Sequence, residues 1–563
     1  MELNQLTTVQ GAQFSGRYPS AYPRPQLRRD TWLSLDGDWD FAVSESVEFP
    51  QSYDRTIRVP FPPESRLSGI GMHFGEEQKL YYRRSFTLPA SFPAKGRVLL
   101  HFGAVDQTAL VRLNGQEAGR HEGGYLAFTI EVTKFLRPGE NLLELQVTDD
   151  LRKVCYPYGK QTLHRGGMWY TPVSGIWQTV WLEWVPEQYI PRLKIQTKGN
   201  RVFLDTTDSQ LNGELVLQGR KLPLVEGKAE FTVEDPKFWS PETPQLYEFT
   251  LTVGEDRVQS YFALRDLEIR SVDGLPRLCL NGKPYFFHGL LDQGYWPDGI
   301  YTPADPACFE EDILRMKALG FNTLRKHIKI EPEQFYYDCD RLGMVVFQDM
   351  VNNGSYSFLR DTALPTVGFQ KGADRRRHKD PQLRTMFLES MEATVEQLYS
   401  HPCICYWTIF NEGWGQFEST AAYRQLKALD DSRFIDSTSG WFRCGESDVE
   451  SIHIYFKPLK FKATGKPLVL SEFGGFAYAP KEHAFNPHKV YGYAKYEDGE
   501  SYAAAVQTLY GQLQPWVAKG LCAAVYTQVS DVEDETNGIL TYDRKLCKLR
   551  PEQMLPIAEM LKL

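Results

Sequence analysis

Two glutamates stand at the ends of apolar runs in the C-terminal half of the chain. Glu412 closes the run WTIFNE (Trp407–Glu412), and Glu472 lies within LSEFGG (Leu470–Gly475). Cleavage of a glycosidic bond needs two carboxyl groups, one to protonate the leaving oxygen and one to attack or to activate water. A glutamate at a strand end is, by itself, often only solvated or salt-bridged. The pair becomes a candidate for this chemistry if both runs are strands of one barrel.

From about residue 271 onward, apolar runs alternate with amphipathic helical patterns, which is typical of a parallel βα architecture. Within Cys308–Gly320, for example, Phe309, Ile313 and Met316 recur at helical spacing. Eight candidate strands in about 290 residues predict a (β/α)8 TIM barrel. The predicted strands are Tyr285–Gly289, Asn322–His327, Met344–Met350, Cys405–Asn411, Phe434–Ser439, Ser451–Tyr455, Leu468–Phe473 and Cys522–Val529. Catalytic residues of such barrels lie at the C-terminal ends of strands, so the two glutamates are expected to face one mouth.

The preceding residues predict two all-β domains. The segment Asn141–Val147 alternates apolar and polar residues with period two, as a half-buried strand does. The next eighty-odd residues continue with short strands over a length that suits a second sandwich of immunoglobulin-like size. We therefore predict a β-sandwich over residues 1–186, an immunoglobulin-like sandwich over 187–270 and the barrel over 271–563.

Three motifs resemble glycoside hydrolase family 2, the family of β-galactosidases, β-glucuronidases and β-mannosidases. His401-Pro402 followed by Trp407–Glu412 looks like its acid/base signature. Asn322–His327 followed by Asp340–Val346 resembles its second signature, and Gly175–Glu183 looks like the last strand of its N-terminal sugar-binding sandwich. The domain order agrees as well: jelly-roll-like sandwich, immunoglobulin-like sandwich, TIM barrel. The resemblance therefore covers essentially the whole chain.

The resemblance implies a retaining, exo-acting β-glycosidase that works through a covalent glycosyl-enzyme, with β-galactosidase-like activity expected first. Glu472 would be the nucleophile and Glu412 the general acid/base. By the same resemblance, Tyr455 would donate a hydrogen bond to Glu472, and Asn411 would bond the sugar 2-hydroxyl. Arg325 ends the second predicted strand, and its positive charge is expected to lower the pKa of Glu472.

The chain departs from the family pattern in two places. Only Lys326 separates Arg325 from His327, where the family has two small residues followed by His-Tyr-Pro, so the pocket wall there is expected to differ. The β-glucuronidases carry an Asn-x-Lys-Gly motif after the eighth strand that grips the substrate carboxylate. The corresponding stretch, Glu535–Ile539, has no lysine, which argues against an ordinary β-glucuronidase.

Several other residues are candidates for the pocket. Strand-end side chains that would contact sugar hydroxyls, or else form salt bridges behind the pocket, are Asp292, Asp349, His327 and His453. Aromatic residues that would stack on a sugar, or reach the barrel mouth from a sandwich loop, are Trp441, Tyr526, Trp169 and Tyr170. The basic run Arg375–Lys379 is either a solvated loop or a binding site for an acidic sugar. No metal constellation or cofactor motif is recognisable, so neither is predicted.

Composition limits the classes of partner. The net charge of −9, without a basic stripe, argues against a nucleic-acid partner. No apolar run reaches the length of about 20 residues that a membrane span needs. The N-terminus shows no export signal, and the nine cysteines include no CxxC pair, which together predict reduced thiols and a cytoplasmic protein. The expected partner is a carbohydrate, as an oligosaccharide or a glycoside, and a homo-oligomer is compatible with the family.

Three alternatives stay open. Another glycone fits the same constellation: a β-glucuronide or other uronide, a β-mannoside, an arabinopyranoside or a galactofuranoside. The chain is otherwise a catalytically inactive carbohydrate-binding protein, which the intact Glu412 and Glu472 argue against. The last alternative is an endo-acting relative with an open cleft, although the N-terminal sandwich favours a closed pocket by analogy.

Overall fold

Two β-sandwiches precede a parallel barrel, as the sequence predicts. The structure is a computed structural model, and it describes residues 3–19, 21–366, 369, 374, 378–443, 445–455, 457–462 and 464–563.

Antiparallel strands form the N-terminal sandwich. They are β1 (Trp32–Ser34), β2 (Gly37–Ser44), β3 (Arg55–Val59), β4 (Lys79–Thr87), β5 (Arg97–Phe102), β6 (Val105–Asp106), β7 (Thr108–Leu113), β8 (Gln116–Glu122), β9 (Phe128–Glu131), β10 (Glu140–Thr148), β11 (Gly175–Ile176) and β12 (Val180–Val185). A sheet of order β1-β12-β5-β9 packs on one of order β3-β2-β4-β10-β7-β8. Along β10, Leu143, Leu145 and Val147 are buried and their neighbours are not, which confirms the predicted half-buried strand.

A second, smaller sandwich follows. Its strands are β13 (Lys194–Lys198), β14 (Arg201–Asp205), β15 (Gly213–Leu217), β16 (Arg220–Leu224), β17 (Lys228–Thr232), β18 (Tyr247–Val253) and β19 (Asp256–Phe262). They form sheets of order β13-β14-β17 and β16-β15-β18-β19, with an apolar core of their own. A short antiparallel sheet of β20 (Leu267–Val272), β21 (Leu275–Leu280) and β22 (Lys283–Pro284) leads into the barrel.

The barrel contains the eight predicted parallel strands. They are β23 (Phe287–Asp292), β24 (Thr323–Lys326), β25 (Val345–Asp349), β26 (Ile404–Asn411), β27 (Phe434–Ser439), β28 (Glu450–Ile454), β29 (Leu468–Gly474) and, after the small pair β30 (Phe476–Tyr478) and β31 (Ala494–Tyr496), β32 (Leu521–Thr527). Their order is β27-β26-β25-β24-β23-β32-β29-β28, so the sheet runs almost fully around. The first strand begins later than predicted, because Tyr285 donates its N–H to Leu278 and still belongs to the preceding sheet.

All described α-helices except the first lie between or after the barrel strands. The α-helices are α1 (Val9–Gln13), α2 (Ala307–Ala318), α3 (Glu333–Leu342), α4 (Leu364–Thr366), α5 (Pro381–Leu398), α6 (Ser419–Leu429), α7 (Gly499–Gly511), α8 (Gln514–Val517) and α9 (Pro551–Leu561). In α2 the predicted residues Phe309, Ile313 and Met316 are buried against the barrel. Helix α3 stops at Gly343, whose φ of 75° suits glycine and whose Cβ would collide with the Pro241 carbonyl.

The eight cysteines in the described residues are all free thiols, and most are buried. Cys444 lies outside the described residues. Over the same described ranges, no helix combines the length and apolarity needed to cross a bilayer.

Candidate active site

The barrel brings Glu412 and Glu472 together at its C-terminal mouth. β26 ends at Asn411, so Glu412 is the first residue beyond it, whereas Glu472 lies within β29. A carboxylate oxygen of Glu412 lies within 4.8 Å of one of Glu472. Of the Glu412 side chain 18% is exposed, against 6% for Glu472, so Glu412 is the more accessible of the pair.

The backbone at Glu412 is in a conformation that favours glycine. Its φ is 53°, in the left-handed region, and its N–H donates to the Ser439 carbonyl at 2.9 Å. A non-glycine residue in this region costs roughly 1–2 kcal/mol. Such strain is often found at functional sites, where the surrounding structure enforces it.

Arg325 is the buried centre of the site. Its Nη1 donates to Glu472 Oε1, its Nε to Asp349 Oδ1 and its Nη2 to Asn411 Oδ1, each at 2.9 Å. Only 1% of its side chain is exposed. One guanidinium therefore fixes the orientation of three polar side chains from three strands.

The surroundings of Glu472 favour its ionised form. Burial by itself raises the pKa of a carboxyl group, but the charges of His453, Arg325 and His327 and the Tyr455 hydroxyl lower the pKa of Glu472 below its ordinary value. The Tyr455 hydroxyl donates to Glu472 Oε2, as the resemblance implies. A carboxylate held in this way is an ionised group at neutral pH.

Tyr455 and Asn411 are both placed against the pair. The Tyr455 hydroxyl also lies 3.0 Å from Thr527 Oγ1, and its ring stacks on Tyr493 with centroids 3.8 Å apart. Because Asn411 Oδ1 accepts from Arg325, its amide nitrogen points elsewhere as a donor. That nitrogen has no hydrogen-bond partner in the described part of the chain.

His453 bridges the two carboxylates. Its Nδ1 lies 2.7 Å from Glu412 Oε1 and 3.4 Å from Glu472 Oε2, and its Nε2 lies 3.2 Å from Ser439 Oγ. The side chain is fully buried. His453 lies in β28 and Tyr455 directly follows that strand, so the two-residue period of a strand puts both side chains on one face. Glu412, His453 and Glu472 also offer the ligand types of a metal site within 4.8 Å of one another.

The remaining strand-end residues form ion pairs beside the pair. Asp349 accepts from Arg325 and lies 2.7 Å from His327 Nδ1. Burial raises the pKa of Asp349, but the charges and hydrogen bonds of Arg325 and His327 together lower the pKa below its ordinary value. Asp292 accepts from Lys326 Nζ at 2.6 Å and is 13% exposed, so it is salt-bridged at the edge of the mouth.

Trp441 and Tyr526 end up in different environments. The half-buried Trp441 lies beside His453, with ring centroids 6.4 Å apart, and so reaches the site. Tyr526 is fully buried, packs on Phe473 and Tyr510, and accepts a hydrogen bond from the Phe476 N–H at 3.2 Å. The expectation that Tyr526 stacks on a sugar is therefore wrong. It points towards the helices.

A loop of the first sandwich reaches the barrel mouth. Trp169 packs on Tyr356 and Trp414, with centroids 4.8 and 4.9 Å away. Tyr170 is fully buried, and its hydroxyl donates to Glu535 Oε2. Both residues expected to reach across do contact barrel loops.

Glu535 is a pocket residue that the sequence did not single out. It lies in the loop after β32, and Asn537 Nδ2 donates to its Oε1 at 2.9 Å. Burial raises the pKa of Glu535, and the nearby Glu472 charge raises it further. Asn537 thus supports a carboxylate in the stretch where a glucuronidase motif would supply lysine.

Lys160 was missed as well. A Cβ on Gly159 would come within 3.1 Å of the Ile328 carbonyl, and the Lys160 carbonyl accepts from the Tyr170 N–H at 3.1 Å. Lys160 is thereby held between the end of β24 and the Tyr170–Glu535 contact. Its ammonium is half-buried and, among the described residues, has no ion-pair or hydrogen-bond partner. Neither Lys160 nor Glu535 directly follows a strand in the sequence, so only the tertiary structure shows that they lie at the mouth.

Most of the predicted basic run lies outside the described residues. Arg375, Arg376 and Arg377 lie outside the described residues. Of the run, His378 and Lys379 are described, and the His378 carbonyl accepts from Arg384 Nε at 2.7 Å.

Three family models match the sequence. "Glycosyl hydrolases family 2, TIM barrel domain" matches residues 272–546. "Glycosyl hydrolase 2 galactose-binding domain-like" matches 63–165, and "Glycosyl hydrolases family 2" matches 192–265.

The curated relatives share less than a third of their residues with this chain and are longer than it. A β-galactosidase of Aeromonas hydrophila subsp. hydrophila is 28% identical over 493 residues, covering 76% of this chain and 45% of that protein. A β-galactosidase of Klebsiella pneumoniae is 25% identical over 481 residues, covering 73% and 43%. The chain spans less than half the length of these two relatives.

Solved structures share the fold over nearly their full length. A β-glucuronidase from an uncultured Clostridium sp. superposes with a TM-score of 0.73 at 18% identity, covering 95% of this chain and 99% of that one. A β-galacturonidase from Eisenbergiella tayi bound to galacturonate gives 0.68 at 19% identity, covering 94% and 97%. At these identities the likeness concerns the fold.

Proposed function

Because the chain belongs to glycoside hydrolase family 2, we propose that it is a retaining, exo-acting β-glycosidase with Glu472 as nucleophile and Glu412 as general acid/base. The observation that carries this proposal is the separation of the two carboxylates, whose oxygens approach within 4.8 Å. Retaining enzymes hold their carboxyl groups about 5–5.5 Å apart, whereas inverting enzymes leave about 6.5–9.5 Å for a water molecule.

The reaction proceeds in two displacements. In the first, a Glu472 oxygen bonds to the anomeric carbon while the bond to the leaving oxygen breaks, and Glu412 gives its proton to that oxygen. In the second, Glu412 takes a proton from water, the water oxygen bonds to the anomeric carbon, and the bond to Glu472 breaks. Two inversions at one carbon leave the configuration retained.

Neighbouring residues support these steps. Arg325 and Tyr455 stabilise the Glu472 carboxylate before it attacks. The free amide nitrogen of Asn411 is available to a sugar hydroxyl, an interaction that strengthens at the transition state. The Tyr170–Glu535 contact closes one side of the mouth, which favours a pocket and exo action.

A neutral, β-galactoside-like glycone is the first candidate. Glu535 is a buried carboxylate at the Tyr170 side of the pocket, where it can accept hydrogen bonds from sugar hydroxyls. An acidic sugar would bring a second negative charge towards it. The two curated relatives described above are named β-galactosidases.

A uronide is the second candidate, because Lys160 favours it. A half-buried ammonium that forms no ion pair or hydrogen bond among the described residues, and whose charge acts on Glu535, is suited to bind a sugar carboxylate. Lys160 comes from the sandwich loop, so a missing lysine after β32 does not by itself exclude acidic sugars.

The function is tested with a panel of aryl glycosides. Initial rates are measured on β-galactoside, β-glucuronide, β-galacturonide, β-mannoside, β-glucoside, arabinopyranoside and galactofuranoside. We expect one glycone to be hydrolysed strongly, with Glu472→Gln reducing the rate at least ~10³-fold, as loss of a nucleophile does. NMR of the first-formed sugar should show the retained anomer.

Two controls make the result specific. Glu418→Gln, an exposed glutamate in the loop after β26, should leave rates unchanged. Glu412→Ala should be rescued by azide, giving a glycosyl azide of retained configuration. An inverted first product, or full activity in Glu472→Gln, would overturn the mechanism, and silence of the whole panel would favour a binding protein.

A pair of substitutions distinguishes a neutral glycone from a uronide. If the substrate is neutral, Glu535→Gln should lower kcat/KM about tenfold, the scale of one lost charge-assisted hydrogen bond. If it is a uronide, Lys160→Met should lower kcat/KM on the uronide about a hundredfold and leave neutral glycosides almost unaffected. Lys160→Arg, which retains the charge, is the matched control.

A further inference from the structure

A cluster of aromatic rings stands beside the acid/base residue. Trp414 follows Glu412 by two residues, and its N–H donates to the Asn411 carbonyl at 3.0 Å. Its indole Nε1 donates to the Gly354 carbonyl at 3.1 Å, and the residue is only 3% exposed. The turn that carries Glu412 therefore also fixes Trp414.

Three rings from two other segments pack on Trp414. Tyr158 lies 5.5 Å from it, centroid to centroid, and its hydroxyl donates to the same Gly354 carbonyl at 2.7 Å. Trp169 lies 4.9 Å and Tyr356 5.7 Å from Trp414, and these two are 4.8 Å from each other. Trp169 and Tyr356 are both partly exposed, so the cluster has an apolar, solvent-facing side.

The position of Glu412 assigns this cluster to one side of the scissile bond. A general acid must contact the leaving oxygen, so groups beyond it on its own side face the leaving group. The sugar itself lies towards Glu472 and Glu535. Tyr356 lies close to Glu412. Burial is the main cause that raises the pKa of Tyr356 to about 12, and the Glu412 charge also contributes.

The chemistry of the cluster indicates what it binds. The polar atoms of Trp414, Tyr158 and Tyr356 already form hydrogen bonds within the protein, Tyr356 with Thr362. What is left for a ligand is ring surface, which stacks well on flat apolar groups. A second sugar would need several hydrogen-bond partners, whereas the Trp169 indole N–H is the one polar side-chain group of the cluster without a protein hydrogen bond among the described residues.

We propose that Trp169 and Tyr356, backed by the buried Trp414, form an aglycone subsite that binds a flat aromatic leaving group. The subsite rests on the proposed glycosidase function and deepens it, because it defines the part of the substrate beyond the sugar. Trp169 comes from the sandwich, so the N-terminal domain contributes directly to substrate selection.

The test varies the aglycone at a constant sugar, using the glycone that the panel selects. kcat/KM is measured for the 2-naphthyl glycoside, the ethyl glycoside and a disaccharide, in the full-length protein and in Trp169→Ala. We expect Trp169→Ala to lower kcat/KM about tenfold on the naphthyl glycoside and less than twofold on the ethyl glycoside. Trp169→Phe should retain most of the activity, and Phe358→Ala, an exposed aromatic residue on the Tyr356 loop, should have no effect.

A second measurement does not depend on turnover. Calorimetry with Glu472→Gln compares binding of 2-naphthyl and methyl β-galactosides, with and without Trp169→Ala. Tighter binding of the naphthyl compound that disappears with Trp169→Ala supports the subsite even if no glycoside is hydrolysed, the result that would defeat the proposed function. Equal losses for all aglycones, or the largest loss on the disaccharide, would overturn the aromatic subsite.

Discussion

At the scale of single residues, His453 is the group that connects the two carboxylates. Its Nδ1 is within hydrogen-bonding distance of Glu412 and next to Glu472, and Ser439 contacts its other nitrogen. We infer that His453 positions the Glu412 carboxyl group, so that one oxygen is held and the other is presented to the leaving group.

His453→Ala is therefore expected to impair proton donation more than nucleophilic attack. Ethyl glycosides need the leaving oxygen protonated, whereas dinitrophenyl glycosides do not. The variant should lose at least about tenfold more kcat/KM on the ethyl than on the dinitrophenyl glycoside, since general acid catalysis contributes 10²–10⁴-fold. Ser439→Ala should show a weaker effect of the same kind. Equal losses on both substrates would mean that His453 acts through Glu472 or the fold and not through Glu412.

Tyr455 gives a prediction for pH dependence. Its hydroxyl stabilises the charged form of Glu472 and so contributes to lowering the pKa of that carboxyl group. Tyr455→Phe removes this donor, so the Glu472 pKa should rise and the acid limb of the kcat/KM–pH profile should move to higher pH. A charge-assisted hydrogen bond of about 1.5 kcal/mol corresponds to about one pH unit. An unmoved acid limb would assign that limb to another group.

At the scale of elements, β32 shows why one expected contact was misplaced. Every residue from Leu521 to Thr527 is buried, because a parallel barrel strand is covered on both faces. Such a strand has no polar alternation that tells which residues face the mouth. Tyr526 points to the helices, while its neighbour Thr527 faces the site and contacts Tyr455.

Tyr526→Phe and Thr527→Val form a matched pair on opposite faces of this strand. Tyr526→Phe should lower the free energy of unfolding by about 1 kcal/mol through its lost hydrogen bond, with kcat/KM unchanged. Thr527→Val should instead lower kcat/KM, because it removes a partner of the Tyr455 hydroxyl. Urea titration and steady-state kinetics separate the two effects. A raised KM in Tyr526→Phe would show that Tyr526 contacts the substrate after all.

The continuous apolar runs made the barrel strands predictable, but they did not show which residues of a strand point into the barrel mouth. Continuous apolar runs separated by amphipathic helices identify a parallel barrel, and the strand-end rule then places Glu412, Glu472 and Arg325 together. The sequence did not predict Lys160 and Glu535 as pocket residues, because their positions depend on how the sandwich loop packs over the barrel. No local pattern in the sequence records that packing.

At the scale of the whole molecule, a buried charge cluster joins the two sandwiches. Arg29 donates to both oxygens of Asp256 in β19 at 2.8 Å and lies 3.3 Å from Glu183 in β12. Burial raises the pKa of Glu183, but the Arg24 charge and then His101 and Arg29 lower it strongly.

Arg29→Met should destabilise the protein by about 3–5 kcal/mol, because it leaves the buried Asp256 without its ion-pair partner and removes one of the cationic partners of Glu183. A carboxyl group with a lowered pKa stabilises the fold above its unfolded pKa and loses this contribution as pH falls. The difference in thermal midpoint between wild type and variant should therefore be large at pH 7 and shrink towards pH 3. Calorimetry at both pH values measures it, and a constant difference would show that packing, not charge, is lost.

The left-handed turn at Glu412 has a cost in heat tolerance. Glycine would adopt this φ of 53° without strain, so the backbone conformation at Glu412 costs free energy that a glycine would not cost. A Glu412→Gly protein would lose its proton donor and this strain together, while the buried His453 Nδ1 would lose its partner at 2.7 Å. Stability and activity therefore oppose each other in the backbone of this turn, which keeps a strained φ for the residue that donates the proton.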